Sequence, residues 1–534
     1  MVPNDAGRGL ILRGFSWNAL AQMLSVALSV ILTPLLLHNL GLARFGLFGL
    51  VQMIVVLLTS FDGGFGSTAA RYFATYASRA DAKSVSRLFL TLVLMMLVLG
   101  GGLGLVLIAS WRPLALMIGL PRTALATANA LASMVAVIVL LALVQSVFTT
   151  LVQGHQHYNV TARANIGGLV VWSLGAVVAI RTSGGVVALS WALLAQQTTI
   201  IVLQAPMVAR CIVWREVRLI AWPELRELLA FTWRRQLLGI SVLVNSQFDG
   251  LLIAAILPLR DVGLYTAGAN FASQVRSVVA NALSPVGNDL TYVFGQNGAE
   301  SAATRLASVQ RLWVASITGY YSVATASAYF AVVAWLGSRY ASAAVVAVVL
   351  IGGQGLATMA SPLTLYLTGI GRAGPEAAYG GITVLLNVLC TVPLALAMGL
   401  YGVVAGTAIG AALGALAFPW LASHAVPIRV PHFVSAVRWG WGAAAAIGTL
   451  AVLEVTKHYF PSGAPGLIVV GLVAVAMLGA YGLAVFSRPI VASLSRRAPR
   501  ALGGRGVTAQ HSIEANRRGR RSREGSQARH FRRQ

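Results

Sequence analysis

Charge is scarce in this sequence. Only 10% of its 534 residues are charged, against 57% hydrophobic, whereas an ordinary soluble domain carries about 25% charged residues. A water-soluble core could not hide so much apolar surface, so the bilayer must be part of the solvent. Inside lipid every backbone polar group needs an internal partner, which leaves helices or a closed barrel. The apolar runs are about 20 residues long, the length of a spanning helix, and lack the alternation of ten-residue barrel strands. The sequence therefore predicts an all-α integral membrane protein.

Cysteine is nearly absent. Cys211 and Cys390 lie far apart and offer neither a disulfide framework nor a metal pattern; both read as ordinary buried thiols. The sequence also lacks a phosphate-binding glycine loop ending in Lys-Ser/Thr, a metal-ligand cluster and a nucleophile elbow. It predicts no enzyme, no cofactor and no built-in ATP motor.

Acidic residues number 14 against 39 basic ones, for a net charge of +25. Much of the excess is terminal. Residues 488–534 hold thirteen arginines and two glutamates, including Arg496-Arg497, Arg517-Arg518 and Arg520-Arg521, in a stretch with almost no hydrophobic pattern. That tail is expected to be disordered and to touch anionic headgroups on the cytoplasmic face rather than nucleic acid.

What is present is a series of apolar runs, near 15–37, 45–61, 88–110, 125–150, 165–181 and 185–208. After a polar loop they resume near 236–257, 263–286, 312–336, 341–368, 377–397 and 401–424. A last pair falls near 438–455 and 465–486. Fourteen spans follow. The first is too long for a signal peptide and has no small-residue cleavage site after it. With the N-terminus inside, the inner segments before the tail hold eighteen Lys and Arg and the outer loops seven. The positive-inside rule then puts both termini in the cytoplasm. Short outer loops leave no room for an extracellular catalytic or receptor domain.

The chain repeats itself. Arg44-Phe45-Gly46-Leu47-Phe48 follows span one, and Asp261-Val262-Gly263-Leu264-Tyr265 follows span seven. Gly185-Val186-Val187-Ala188 opens span six, and Gly402-Val403-Val404-Ala405 opens span twelve. Both matches share an offset of 217 residues. Equivalent points six spans apart share an orientation, so the halves should relate by an axis along the membrane normal. The expected organisation is a cytoplasmic N-terminus (1–14), an N-lobe of spans one to six (15–208), a cytoplasmic linker (209–235), and a C-lobe of spans seven to twelve (236–424). Spans thirteen and fourteen (425–487), packed beside the second lobe, and the tail (488–534) complete it. Two lobes that rock about a central cavity give alternating access.

Ionisable groups at membrane depth are costly and mark pathways or partners. Arg276, mid-span in Ser273-Gln274-Val275-Arg276-Ser277, reads first as a cationic anchor for an anionic substrate and second as half of a buried ion pair. Gln274 is a neighbouring cavity candidate. Asn245 and Asp249 are four apart, so both can share a helix face; Asp249 either partners Arg276 or takes up a proton or sodium ion. Asp62-Gly63-Gly64-Phe65-Gly66 ends span two and leads to Arg71 and Tyr72. Asp62 is a second candidate for ion coupling or charge pairing, and Arg71 is either a lining residue at the cytoplasmic mouth or an interfacial arginine. Gly287 marks a span end in the second half, followed by Asn288 and Asp289. Pro34, Pro285 and Pro362 are candidate kinks. His155 and His157, two apart, do not share a helix face and read as a solvated loop rather than a metal site.

The fourteen-span layout, Phe45-Gly46-Leu47-Phe48, Asp62-Gly63-Gly64-Phe65-Gly66 leading to Arg71, Asn245 and Asp249 before Val262-Gly263-Leu264-Tyr265, and Gly402-Val403-Val404-Ala405 together resemble one family. It is the polysaccharide (O-antigen) flippases of the multidrug/oligosaccharidyl-lipid/polysaccharide exporter superfamily, and the resemblance covers roughly residues 10–486. It implies a bacterial inner-membrane flippase that moves polyprenyl-diphosphate-linked oligosaccharide to the outer leaflet, alongside other polysaccharide-biosynthesis membrane proteins. By position, Asp249 becomes a cavity carboxylate tied to ion coupling. The alternatives are a cation-coupled multidrug exporter of the same superfamily, a membrane glycosyltransferase or polymerase, and a scaffold working through its basic tail. Drug exporters favour acidic cavities, and the enzymes need a sizeable outer loop.

Overall fold

A computed structural model describes residues 5–62, 65–117, 125–216, 219, 226, 247–370, 374–423, 439–457 and 463–486. Among these the regular structure is helical, with no strand. In chain order the α-helices are α1 (Asp5–Thr59), α2 (Phe65–Ser78), α3 (Ala82–Met117), α4 (Leu125–Gly154), α5 (Tyr158–Arg181) and α6 (Gly185–Cys211). They continue with α7 (Gln247–Ile256), α8 (Leu259–Leu336), α9 (Ala341–Thr358), α10 (Ser361–Gly369), α11 (Gly374–Met398) and α12 (Leu400–Ser423). The last two are α13 (Trp439–Thr456) and α14 (Ala464–Phe486).

Eleven of the described helical segments are long and apolar enough to cross a membrane. The expectation of fourteen spans counts three more. Non-helical Gly41 (φ 75°) divides α1 into two spans. Gly298 (φ 78°) divides α8 in the same way, although the first half of α8 carries too many polar residues to count by hydropathy. The short helix α7 begins where the described residues resume. The chain is therefore a multi-pass membrane protein.

Apolar side chains are sorted by what they touch. Leu37, Val51, Phe73, Val135, Val139 and Leu189 are fully buried between helices, while Met23, Val98, Leu105, Leu396 and Val455 are largely exposed. The exposed set forms the face that lipid covers. Lipid tails are as apolar as these residues, so close packing rather than water exclusion holds the helices together.

Two lobes emerge. In the first, α3 packs on α4, α5 on α6, α1 on α5, and α2 on α4; in the second, α8 packs on α9, α11 on α12, and α12 on α9. Helices α13 and α14 both lie against α8. There the Tyr481 ring covers Gly319, and its hydroxyl donates to the Ala315 carbonyl at 2.6 Å.

The lobes meet along a seam that the 217-residue repeat explains. A Cβ on Gly46 would collide with the Leu259 carbonyl, and one on Gly263 would collide with the Leu42 carbonyl. Leu42 and Leu259 are separated by the same offset as the two glycines. Further in, a Cβ on Gly49 would fall 2.5 Å from the hydroxyl oxygen of its counterpart, Thr266. The contact is thus unchanged when the halves are exchanged, as a two-fold axis along the membrane normal requires. Only glycine lets the two backbones approach so closely.

Two expectations need correction. The helix runs on through Gly287, Asn288 and Asp289 to the turn at Gly298, because the chain reverses where positive φ is adopted rather than where polarity rises. The two arms beyond the expected span ends are joined by an Arg305–Asp289 ion pair at 2.8 Å. Pro285 does not break the helix either. The break expected near Pro362 is present, at Met359–Ala360 between α9 and α10.

Candidate cargo path and ion site

Among the described residues Asp249 is the most enclosed carboxyl group. On α7 it is 2% exposed. Its Oδ2 accepts from the Tyr265 hydroxyl of α8 at 3.3 Å and lies 2.7 Å from the Thr407 hydroxyl of α12. Thr407 is also 3.0 Å from the Val403 carbonyl, so its one proton serves either acceptor. Asn387 of α11 also faces the carboxyl group and is fixed by the Thr391 hydroxyl, which donates to its Oδ1 at 2.6 Å. Four helices therefore bring oxygen-rich groups around one carboxylate. Its hydrogen-bonding partners do not include Arg276, and the pairing reading falls away. A buried carboxylate without a basic partner favours protonation or a bound cation, since an uncompensated charge is costly there.

Arg276 lies elsewhere in the same lobe. Its side chain is exposed, and it is close enough to Tyr321 for their charges to interact. The neighbouring Tyr320 hydroxyl donates to the Val275 carbonyl at 2.9 Å, and the two tyrosine rings pack edge to face at 5.3 Å. Seventeen residues separate Arg276 from the start of α8, about 26 Å at 1.5 Å per residue. Against a hydrocarbon core of about 30 Å, that count puts Arg276 towards the end of the span remote from the seam, nearer the boundary than the mid-span position expected from the apolar run. Gln274 is two residues away, hence on nearly the opposite side of the helix, and half-buried. It does not share a face with Arg276.

The other candidates lie in the first half of the chain or outside the described residues. Asp62, in the 3-10 turn that follows α1, lines a recess of about water size with Ala69 of α2, Leu92 and Met96 of α3, and Ser146, Val147 and Thr150 of α4. Arg71 lies on α2, its side chain outside the described residues, as is Asn245. His155 and His157 occupy the turn between α4 and α5, where burial and the neighbouring His155 hold the His157 pKa below its ordinary value. Among the described residues no three His, Cys, Asp or Glu side chains converge on a metal position, and both cysteines are free.

Sequence reasoning missed Asn387 and Thr407. Asn387 is the one amide in the 377–397 run, a signal as clear as that of Asp249. It also missed what proline does to its surroundings. Pro362 has no N–H for the carbonyl four residues back, so the Thr358 oxygen loses its helical partner and accepts instead from the Trp313 indole at 3.0 Å. The Met359 carbonyl accepts from Gln310 at 2.6 Å. Pro34 frees the Val30 carbonyl in the same way, and the Trp335 indole donates to it at 2.7 Å.

A family profile described as polysaccharide biosynthesis protein matches residues 11–286, more than half of the chain. The chain belongs to the polysaccharide biosynthesis protein family. Its fold agrees with that of the wider multidrug/oligosaccharidyl-lipid/polysaccharide exporter superfamily. The structure of lipid II flippase MurJ in an inward closed conformation aligns with a TM-score of 0.64 at 12% identity, covering 88% of this chain and 98% of that one. An inward-facing multidrug resistance MATE transporter aligns at 0.59 and 16%, covering 77% and 97%. A Pyrococcus furiosus transporter of the superfamily, described as having a binding pocket of reversed polarity, aligns at 0.54 and 15%, covering 78% and 95%. No curated protein sequence matches the chain. In this family member a polar, carboxylate-centred cluster and an exposed arginine occupy one lobe.

Proposed function

We propose that the protein flips polyprenyl-diphosphate-linked oligosaccharide from the cytoplasmic to the outer leaflet of a bacterial inner membrane, for surface polysaccharide synthesis. Both termini are cytoplasmic, and the seam end faces outward. The observation that carries this reading is Arg276, exposed and, by the helix count above, near the inner-leaflet boundary. A guanidinium at that depth suits a diphosphate, whose oxygens it can engage in a bidentate fashion. The lipid tail stays in the bilayer while the lobes rock. Asp249 supplies coupling by exchanging a proton or sodium ion as α7, α8, α11 and α12 rearrange.

A cation-coupled drug exporter is the second reading, favoured by the same buried carboxylate. Arg276→Glu separates the two. With membrane abundance matched to the parent, lipid-linked oligosaccharide is followed in each leaflet. Cytoplasmic-leaflet accumulation with loss of surface glycan is the expected result. Normal export from the stably inserted variant sinks the anionic-cargo contact and moves weight to the exporter.

A further inference from the structure

We infer that the Val30 carbonyl and the Trp335 indole form a latch that holds the seam end of the cavity shut and must break in every transport cycle; this rests on the alternating-access reading above. Val30 and Pro34 belong to the first span of α1, in the N-lobe, and Trp335 ends the ninth span, in the C-lobe. Their hydrogen bond, at 2.7 Å across 305 residues of chain, therefore joins parts that must separate. Pro34 makes the acceptor available, because no N–H at position 34 competes for the Val30 oxygen. The donor is fixed: Trp335 is buried against the Phe271 ring at 5.9 Å. Alongside, His38 of α1 packs edge to face on Tyr340, with ring centroids 5.5 Å apart.

Among the described residues the same chemistry also occurs inside a lobe, and the contrast defines the device. Trp313 donates to the carbonyl freed by Pro362, but donor and acceptor both belong to the C-lobe. Parting the lobes puts no load on that bond, because its two ends move together. When the lobes part at the seam, the Val30 oxygen faces the opening cavity, where water replaces the indole. A bond between parts that separate can act as a latch; one within a single part acts as a staple.

The test uses the full chain with Cys211 and Cys390 replaced by Ser and a reporter Thr266→Cys, a position buried beneath Gly49 at the seam. A membrane-impermeant maleimide is applied to right-side-out and to inverted vesicles. Trp335→Phe is expected to speed labelling about fivefold from one side, the factor expected for one neutral hydrogen bond. Pro34→Ala, which restores a helical partner for Val30 and leaves Trp335 in place, should do the same, while Trp313→Phe labels at the parental rate. Unchanged labelling of both seam variants overturns the latch. An equal rise in Trp313→Phe also overturns it, because general loosening would then be the cause. The readout needs no cargo, so it stands or falls independently of the leaflet assay.

Discussion

The two halves of the chain share a skeleton but differ in where they are broken. In the first half, the second span leaves the α-helix for a 3-10 turn at Ser60–Asp62, before α2, while α4 crosses unbroken over 30 residues. In the second half, α8 passes straight through the position equivalent to that interruption, and it is the tenth span that breaks, between α9 and α10. The offset of 217 preserves Gly46 and Gly263, Leu42 and Leu259, and Gly49 opposite Thr266. Of the polar cluster it preserves only a hydroxyl, Ser190 standing for Thr407. Asp249 corresponds to Leu32, Arg276 to Thr59, Asn387 to Val170 and Asp62 to Val279. Symmetry has been kept where the lobes touch and lost where charge is handled, so the seam is shared machinery and the polar site belongs to one lobe.

That division can be broken experimentally, and the largest effect belongs to the symmetric part. Gly46→Leu and Gly263→Leu each drive a side chain into a backbone carbonyl of the other lobe, and overpacking of this kind costs about 1–3 kcal/mol or more. Each should lower surface-glycan export at least about tenfold at matched abundance, since 1.4 kcal/mol is a factor of ten. The two losses should also be similar; a severe loss in one and none in the other would refute the two-fold contact.

Next comes the asymmetric part. Asp249→Asn should abolish the dependence of export on a proton or sodium gradient, whereas Leu32→Ala, its counterpart, removes packing and leaves that dependence intact. Gradient-dependent export retained by Asp249→Asn would remove the carboxylate from coupling. The smallest effect lies at the turn between α4 and α5. His157 is held neutral by partial burial and by His155, so the unfolded chain binds its proton more readily once pH falls below about 6.5. Its stability contribution is complete above that pH and declines on acidification. Thermal stability should drop slightly between pH 7.5 and 5.5, and His157→Gln should flatten the decline.

Much of the architecture was legible because lipid imposes a coarse rule: each span must be apolar and about 20 residues long. The repeat was legible for the same reason that it matters, since only glycine fits at 46 and 263. The long arms of α8 were not, because residues 287–311 are polar and hydropathy stops counting where the helix does not. The phase of Gln274 against Arg276 follows from helix geometry, but sequence proximity obscured it. Asn387 and Thr407 could be noticed as polar residues in apolar runs, yet only folding brings them to Asp249. The prolines were readable as kinks; the partner that Pro34 creates for Val30 is 305 residues away and leaves no local trace.

A contact that is unchanged when its two sides are exchanged has the geometry of a homodimer interface, here contained within one polypeptide. The covalent connection between the halves makes their association intramolecular, which raises the effective concentration of each for the other. Weak, close-packed glycine contacts then suffice to keep the lobes together while leaving them free to part. It also lets the halves evolve apart: a true pair of identical subunits would have to carry Asp249 and Arg276 twice, and this chain needs each of them once.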